Sequence, residues 1–520
     1  MKNLLYLLIS IVWTFIIAFN VLTFINLQLW NTSQNNIANL TIATIFLVIN
    51  LIFITILFCN SIKDFIFVLY FHLYLKKKLR QNTKNKNNLL VKKNSKVLLL
   101  YTTCNDFDPE SLLASSNQNY SNYEVYILDD SYDKKYIDKI NQFAKENPWI
   151  KVIRRKDRKG FKAGNINNFL QNYNINYDYF VLLDSDEIIP DDFITKTLNY
   201  FNNNHVGIVQ ANHKGTRGKN LFSNIAQLGI YPSWTTFISV KNKYGIVTLN
   251  GHGAMISKEC YEMSGGFPEI VAEDLGFTIN SVNAGYQIVF ANDIICEEVF
   301  PIDYLAFTKR AIKWTQGNVE FCKKYIFKIF KLKIPFFKKV DLWLSVTSLS
   351  LSVLSIFILI INFAILYPIG FNYKNMHWSL WVELVLMIIL IITPFINDFI
   401  FFFKKINFFK LLFYILFCAL LYTSTIVCSI KTLILSLLGK KAKFIITPKF
   451  ESKYTIWDAI KFNWLEIIVA TILLVAIVII HLYLPEYKIV GTIILSILSI
   501  SLYSTIFLTL ISNKFVKISI

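Results

Sequence analysis

Acidic residues are scarce in this chain. Asp and Glu number 34 against 53 Lys and Arg in 520 residues, a formal net charge of +19. A basic surplus can mark a nucleic-acid binder, but here Lys clusters beside long apolar runs, as in chains held at a membrane surface. The expected partner is the lipid bilayer and not nucleic acid. Cysteine is sparse as well. Cys59, Cys104, Cys260, Cys296, Cys322, Cys418 and Cys428 are scattered, with no C-x-x-C and no metal-ligand spacing. Reduced thiols follow, three or more of them in membrane segments or core. Neither His213 nor His252 has a second His, Cys or carboxylate at ligand spacing, which argues against a zinc site.

Apolar residues are abundant: 54% of the chain is hydrophobic and 16% aromatic. That is too apolar for an ordinary soluble protein. Leu4 to about Trp30 is nearly free of charge and long enough to span a bilayer, and a second run ends near Cys59. The first run lacks a small-residue cleavage site and the second follows at once, so a signal peptide is not expected. The loop between them has no Lys or Arg, whereas Lys76-Lys77-Lys78-Leu79-Arg80 and further lysines up to Lys96 follow the second. The positive-inside rule puts that stretch, and the domain attached to it, in the cytoplasm. Residues 1–78 thus read as two transmembrane helices.

Five further apolar runs occupy about 341–367, 378–403, 411–437, 463–484 and 488–512. If all five span, Lys440, Lys441, Lys443, Lys449 and Lys453 fall outside the cell, against the same rule. The expectation is four spanning helices in 341–520, with 411–437 along the cytoplasmic face and both termini cytoplasmic. The apolar character of 411–437, with Lys431 its only charge, leaves a re-entrant helix as the compromise. Segments 221–241 and 304–340 interleave Lys with Phe, Ile and Trp, the pattern of interfacial amphipathic helices.

Residues 97–303 read as an α/β domain with a mostly parallel sheet. Val97 to Tyr101 is a buried strand. A second strand, Tyr123 to Leu128, ends in Asp129-Asp130-Ser131, and a third covers Trp149 to Ile153. A short helix is expected over 162–172. Then Val181-Leu182-Leu183 runs straight into Asp184-Ser185-Asp186, putting two carboxylates where open α/β sheets bind ligands. They form a hard oxygen site suited to Mg²⁺ or Mn²⁺, and such an ion would hold a diphosphate. The same acids would also serve as a turn before a helix starting at Pro190-Asp191-Asp192. Asp129-Asp130 likewise reads as a turn after a strand, and Glu273-Asp274 as a helix start.

Seven stretches occur in a telling order: Thr103-Cys104-Asn105-Asp106, Leu128-Asp129-Asp130-Ser131, Lys162-Ala163-Gly164-Asn165, Asp184-Ser185-Asp186, Val209-Gln210 with His213, Ala272-Glu273-Asp274, and Phe444-Ile445-Ile446-Thr447-Pro448-Lys449. Together they resemble the membrane-embedded, processive family 2 glycosyltransferases, which include the bacterial cellulose synthase catalytic subunit. The resemblance covers about Val97 to the C-terminus. It implies a GT-A-like nucleotide-sugar-binding domain joined to an α-helical transmembrane channel region. It further implies a metal on Asp184 and Asp186, a catalytic base at Asp274, and a gating loop over 440–455 that carries Thr447 and Lys449. Thr103, Asp106, Asp129, Asp130, Lys162, His252, Glu273, Arg310, Lys313 and Trp314 are implied on the substrate side.

The chain also departs from that family. Its Gln-x-x-Arg-Trp is here Arg310-Ala311-Ile312-Lys313-Trp314, at the same 35-residue interval after Asp274. Lys313 keeps the charge but lacks the bidentate fork of Arg. Asn250-Gly251-His252-Gly253 stands where the family has Phe-x-Cys-Gly-Ser, and Gly251-His252-Gly253 reads as a tight backbone approach near the acceptor. Gly160 replaces a His. The expected activity is processive, inverting β-glycosyl transfer from UDP-glucose to a growing polysaccharide of the β-glucan type, a cell-surface or capsular polymer, at the plasma membrane. The alternative is a non-processive transferase that glucosylates a lipid.

Overall fold

The computed structural model describes residues 4–32, 37–84, 94–361, 380–442, 453–483 and 490–514. The strands among them are β1 (Val97–Thr103), β2 (Tyr123–Asp129), β3 (Ile150–Arg154), β4 (Tyr179–Leu183), β5 (Val206–Gly215), β6 (Ala254–Ser257) and β7 (Gln287–Glu298). They form one sheet in the order β3-β2-β1-β4-β6-β5-β7. Only β6 runs antiparallel to its neighbours, pairing with β4 and β5. The sheet is mostly parallel, as expected, and is covered on both faces. Leu99, Tyr101, Ile127, Val181 and Leu183 point into one apolar layer. Leu98, Leu100, Leu128, Phe180 and Leu182 point into the other. Every residue of β1 and β4 is buried, which is why both read as continuous apolar runs and do not alternate.

β1 sits between β2 and β4 and is parallel to both. The strand order reverses there, so a crevice opens at the carboxyl ends of β1, β2 and β4. The register sets Thr103 beside Asp129 and Tyr101 beside Leu183. Asp130 and Asp184, one residue further on, therefore reach a common rim.

Six helical stretches among the described residues are long and apolar enough to cross a membrane: Leu4–Asn26, Thr44–Gln81, Leu384–Phe402, Phe408–Leu437, Trp464–Leu482 and Leu495–Asn513. The fourth is two helices, Phe408–Ser424 and Ile426–Leu437, where a single interface helix over 411–437 was expected. The break falls at Ser424 and Thr425, whose hydroxyls donate back to the carbonyls of Leu421 (2.9 Å) and Tyr422 (2.9 Å). Leu411, Tyr414, Phe417 and Leu421 pack against Phe222, Phe300, Tyr304 and Phe307, so the first of the two lies on the sheet domain.

The helix Tyr304–Lys331 buries Phe307, Val319, Phe321, Tyr325 and Ile329 and leaves Phe327 exposed among lysines. It ends inside the 304–340 segment, and Phe336–Ile361 begins the next helix. Residues 362–367 of the expected 341–367 span lie outside the described residues.

Candidate active site

Ser185 is the fixed point of the site. Its hydroxyl donates to Asp106 (2.6 Å), and its carbonyl accepts from the buried Tyr101 hydroxyl (2.6 Å). Asp106 is itself held by the Thr103 hydroxyl (2.9 Å) and the Cys104 amide (2.8 Å). Arg217 donates to the carbonyl of Asp186 (2.8 Å). A small hydroxyl residue between two aspartates is thus locked from both sides, and Asp184 and Asp186 line one cavity.

Lys162-Ala163-Gly164-Asn165 opens the helix Phe161–Asn172 and supplies the opposite wall. Lys162 pairs with Asp184 and donates to the carbonyl of Gly251 (2.8 Å). Asn165 donates to the carbonyl of Leu128 at the end of β2 (3.0 Å). Gly164 has no alternative: a Cβ there would sit 2.1 Å from the carbonyl oxygen of Lys159. Burial pushes the Asp184 carboxyl up, but Lys162, His252 and Lys313 hold it well below the usual carboxylate range. Lys162 is shifted up: burial disfavours its charge, and Asp184 and Glu273 more than offset that.

Glu273 and Asp274 start the helix Glu273–Asn283. Asp274 accepts from the Leu275 amide (2.8 Å). Burial, with Asp274 alongside, raises Glu273 to about 7 against the pull of Lys162. Asp274 is raised too, chiefly by burial, against the Leu275 amide, Lys162 and Lys313. A carboxyl pair titrating above its ordinary range is suited to taking a proton near neutral pH. Val271 donates its amide to Glu320 (3.0 Å), which ties this turn to the helix Tyr304–Lys331. That helix brings Arg310, Lys313 and Trp314 to the cavity. The Arg310 guanidinium lies over Phe300 at 4.3 Å and over Trp314 at 4.6 Å, a cation–π stack at the mouth.

The cavity encloses about 880 Å³, within the range of ligand pockets. Of the residues singled out from the sequence, Thr103, Asp106, Asp130, Lys162, Asp184, Asp186 and His252 line it, as do Glu273, Asp274, Arg310, Lys313 and Trp314. Asp129 is a correction: it is fully buried and accepts from Arg154 (2.6 Å) and the Ser131 amide (2.8 Å), so it stiffens the rim and does not face the pocket. Asp130 lines the pocket with its carboxylate gripped by Arg155 at 2.8 and 2.7 Å. Thr447 and Lys449 lie outside the described residues.

Sequence reasoning missed Glu187, Arg158, Arg217 and Glu298, all of which line the cavity. Glu187 alone left a signal, because it directly follows the Asp184–Asp186 pair. The reading of the histidines also needs correction. Glu187, His213 and His252 place their ligand atoms within 4.8 Å of one another, although 26 and 65 positions separate the histidines from Glu187. His213 Nε2 is 2.9 Å from Glu187 Oε1, and His252 Nδ1 is 3.4 Å from the same oxygen. Burial lowers the pKa of His252, but Glu187, Asp184 and Glu298 carry it up to about 10. Gly253 must be glycine here: its φ is +57°, and a Cβ would fall 2.5 Å from both Glu187 Oε1 and His213 Nε2.

Residues 110–317 match the profile of the family described as "Glycosyltransferase like family 2". A curated relative, "Probable glucomannan 4-beta-mannosyltransferase 6" of Oryza sativa subsp. japonica, is 24% identical over 277 residues, covering 51% of this chain and 47% of its own. The chain therefore spans about half the length of that relative. Among solved structures, the mannosyltransferase PcManGT from Pyrobaculum calidifontis, in complex with GDP-Man and Mn²⁺, is 18% identical with a TM-score of 0.39, covering 66% of this chain and 98% of that one. S. aureus TarS 1–349 in complex with UDP-GlcNAc is 14% identical with a TM-score of 0.35, covering 69% and 98%. Residues 110–317 are thus similar to glycosyltransferase family 2 domains, and in this chain they lie largely in a mostly parallel α/β sheet domain joined to helices long and apolar enough to cross a membrane.

Proposed function

We propose that the chain is a processive, inverting β-hexosyltransferase that extends a polysaccharide from a nucleotide sugar at the cytoplasmic face of the plasma membrane and passes the product through its own helices. One observation carries the reading. A single cavity runs from Thr103 and Asp130 at the strand ends, past Asp184, Asp186 and Asp274, to Trp314 and then Leu349 on the helix Phe336–Ile361. Residues at the strand ends and Leu349 on an apolar helix thus line one cavity, which supports a donor site continuous with an exit toward those helices.

Asp184 and Asp186 fit a Mg²⁺ or Mn²⁺ ion, because their donor set is oxygen only and the clamped Ser185 turns both toward the same cavity. Such an ion would supply positive charge where the diphosphate departs. Lys162 and Lys313 add charge on the same side. Asp274 takes the proton of the acceptor hydroxyl as it attacks. Trp314, half-exposed at the mouth, offers an apolar face on which an acceptor sugar stacks. Asp129 serves this reading only by bracing the rim, whereas Thr103, Asp106 and Asp130 border the nucleoside end.

UDP-glucose is the proposed donor, with a β-glucan-type cell-surface or capsular polymer as product. The name of the rice relative favours a second reading, a mannosyl donor feeding a mannan-type chain. A donor screen on purified enzyme, with linkage analysis of the product, decides. Turnover of UDP-glucose alone supports the first reading, turnover of the mannosyl nucleotide alone supports the second, and transfer of one sugar to a lipid rejects processivity.

A further inference from the structure

Glu187, His213 and His252 come from three different elements: the turn after β4, strand β5 and the loop before β6. Both imidazoles face one carboxylate oxygen, at 2.9 and 3.4 Å, with the rings nearly perpendicular and their centroids 4.5 Å apart. An ion with bonds of about 2.0–2.2 Å separates its ligands by roughly 3–4 Å. The second oxygen of Glu187 accepts from the Gly253 amide at 3.0 Å, which leaves Oε1 to face the histidines. The other nitrogen of His252, Nε2, is 3.4 Å from Glu298 Oε2. A carboxylate behind a histidine in this way orients the ring for metal ligation.

We infer that Glu187, His213 and His252 form a second metal site, separate from Asp184 and Asp186, that takes a nitrogen-preferring divalent ion such as Zn²⁺. Two imidazole nitrogens and one carboxylate oxygen are a borderline donor set, which selects Zn²⁺ over Mg²⁺. The side chains of Glu187 and His213 are 1% and 0% exposed, whereas His252 is 16% exposed and lines the cavity with Glu187. An ion therefore enters from the cavity and keeps one coordination position open on that side. It ties the end of β4 to β5 and to the loop that carries the Gly251 carbonyl, the acceptor for Lys162. Its place in the site is that of a clamp on the acceptor loop.

The test uses the full chain in detergent micelles, stripped of metal and titrated with Co²⁺ as a spectroscopic stand-in for Zn²⁺. No nucleotide sugar takes part, so the outcome is independent of the transferase reading. Wild-type protein and Asp186→Asn should each show, for one equivalent of bound Co²⁺, the intense ligand-field absorption of a four- or five-coordinate site. Equimolar Zn²⁺ should abolish it, and a large excess of Mg²⁺ should not. His252→Gln should weaken Co²⁺ binding at least tenfold. If that variant does not fold, Glu298→Gln keeps all three ligands and should still weaken binding about 10- to 100-fold. Wild-type protein without that absorption overturns the assignment. So does absorption that survives both substitutions, or that is lost in Asp186→Asn.

Discussion

Replacing Asp274 by Asn separates proton transfer from donor binding. The amide oxygen of Asn can still accept from the Leu275 amide, a 2.8 Å bond in the native protein, so the helix start at Glu273 survives. The ability to take a proton does not. General-base catalysis is worth roughly 10²–10⁴-fold, or about 2.7–5.4 kcal/mol of activation free energy at 1.36 kcal/mol per decade. Turnover, followed by nucleoside diphosphate release, should fall by that factor, while the donor dissociation constant changes by less than about threefold.

The pH profile sharpens the test. Both carboxyls are raised, Glu273 to about 7, and the pair titrates as a unit. As the proposed base, Asp274 is protonated and idle at low pH, so wild-type turnover should climb as pH rises through neutrality. In Asp274→Asn the Glu273 carboxyl loses its negative neighbour, so its pKa falls and the acid limb moves to lower pH. Turnover within tenfold of wild type with an unmoved acid limb would refute the assignment. A large loss of donor affinity would instead place Asp274 in the nucleotide pocket.

Asp186→Asn should abolish turnover and weaken donor binding in Mg²⁺ or Mn²⁺ while the protein stays folded, as checked by donor titration and thermal unfolding; normal activity would remove the metal assignment. Gly253→Ala places a Cβ 2.5 Å from Glu187 Oε1 and His213 Nε2 at a φ of +57°, a left-handed position that by itself costs about 1–3 kcal/mol; the measured Tm should drop clearly. Thr447→Ala with Lys449→Ala should lower turnover sharply with membrane insertion unchanged if the loop closes over the donor, and a wild-type polymerisation rate would show an ordinary connector.

The central strands were legible because fully buried parallel strands are continuous apolar runs, and Val97 to Tyr101 and Val181 to Leu183 are such runs. Asp184 and Asp186 were legible because they directly continue one of them. Asp129 was misread. Successive side chains of a strand alternate in direction, so at the end of β2 one aspartate turns to Arg154 and the next to the pocket, and Asp-Asp alone does not say which. The convergence of Glu187, His213 and His252 was not legible at all. β6 slips antiparallel between β4 and β5, so the neighbours of Glu187 follow sheet order and not chain order. The break at Thr425 interrupts an apolar run that hydrophobic periodicity reads as continuous.

Product length per enzyme molecule tests the central claim most directly. The purified full chain in lipid nanodiscs would be given labelled UDP-glucose and, separately, a labelled mannosyl nucleotide, both in large excess over enzyme, and the products sized at low conversion. The account predicts long chains appearing while most enzyme molecules have completed only one product, from one of the two donors, with Asp274→Asn silent. A single sugar on a lipid, or short products that lengthen only as conversion proceeds, would contradict it.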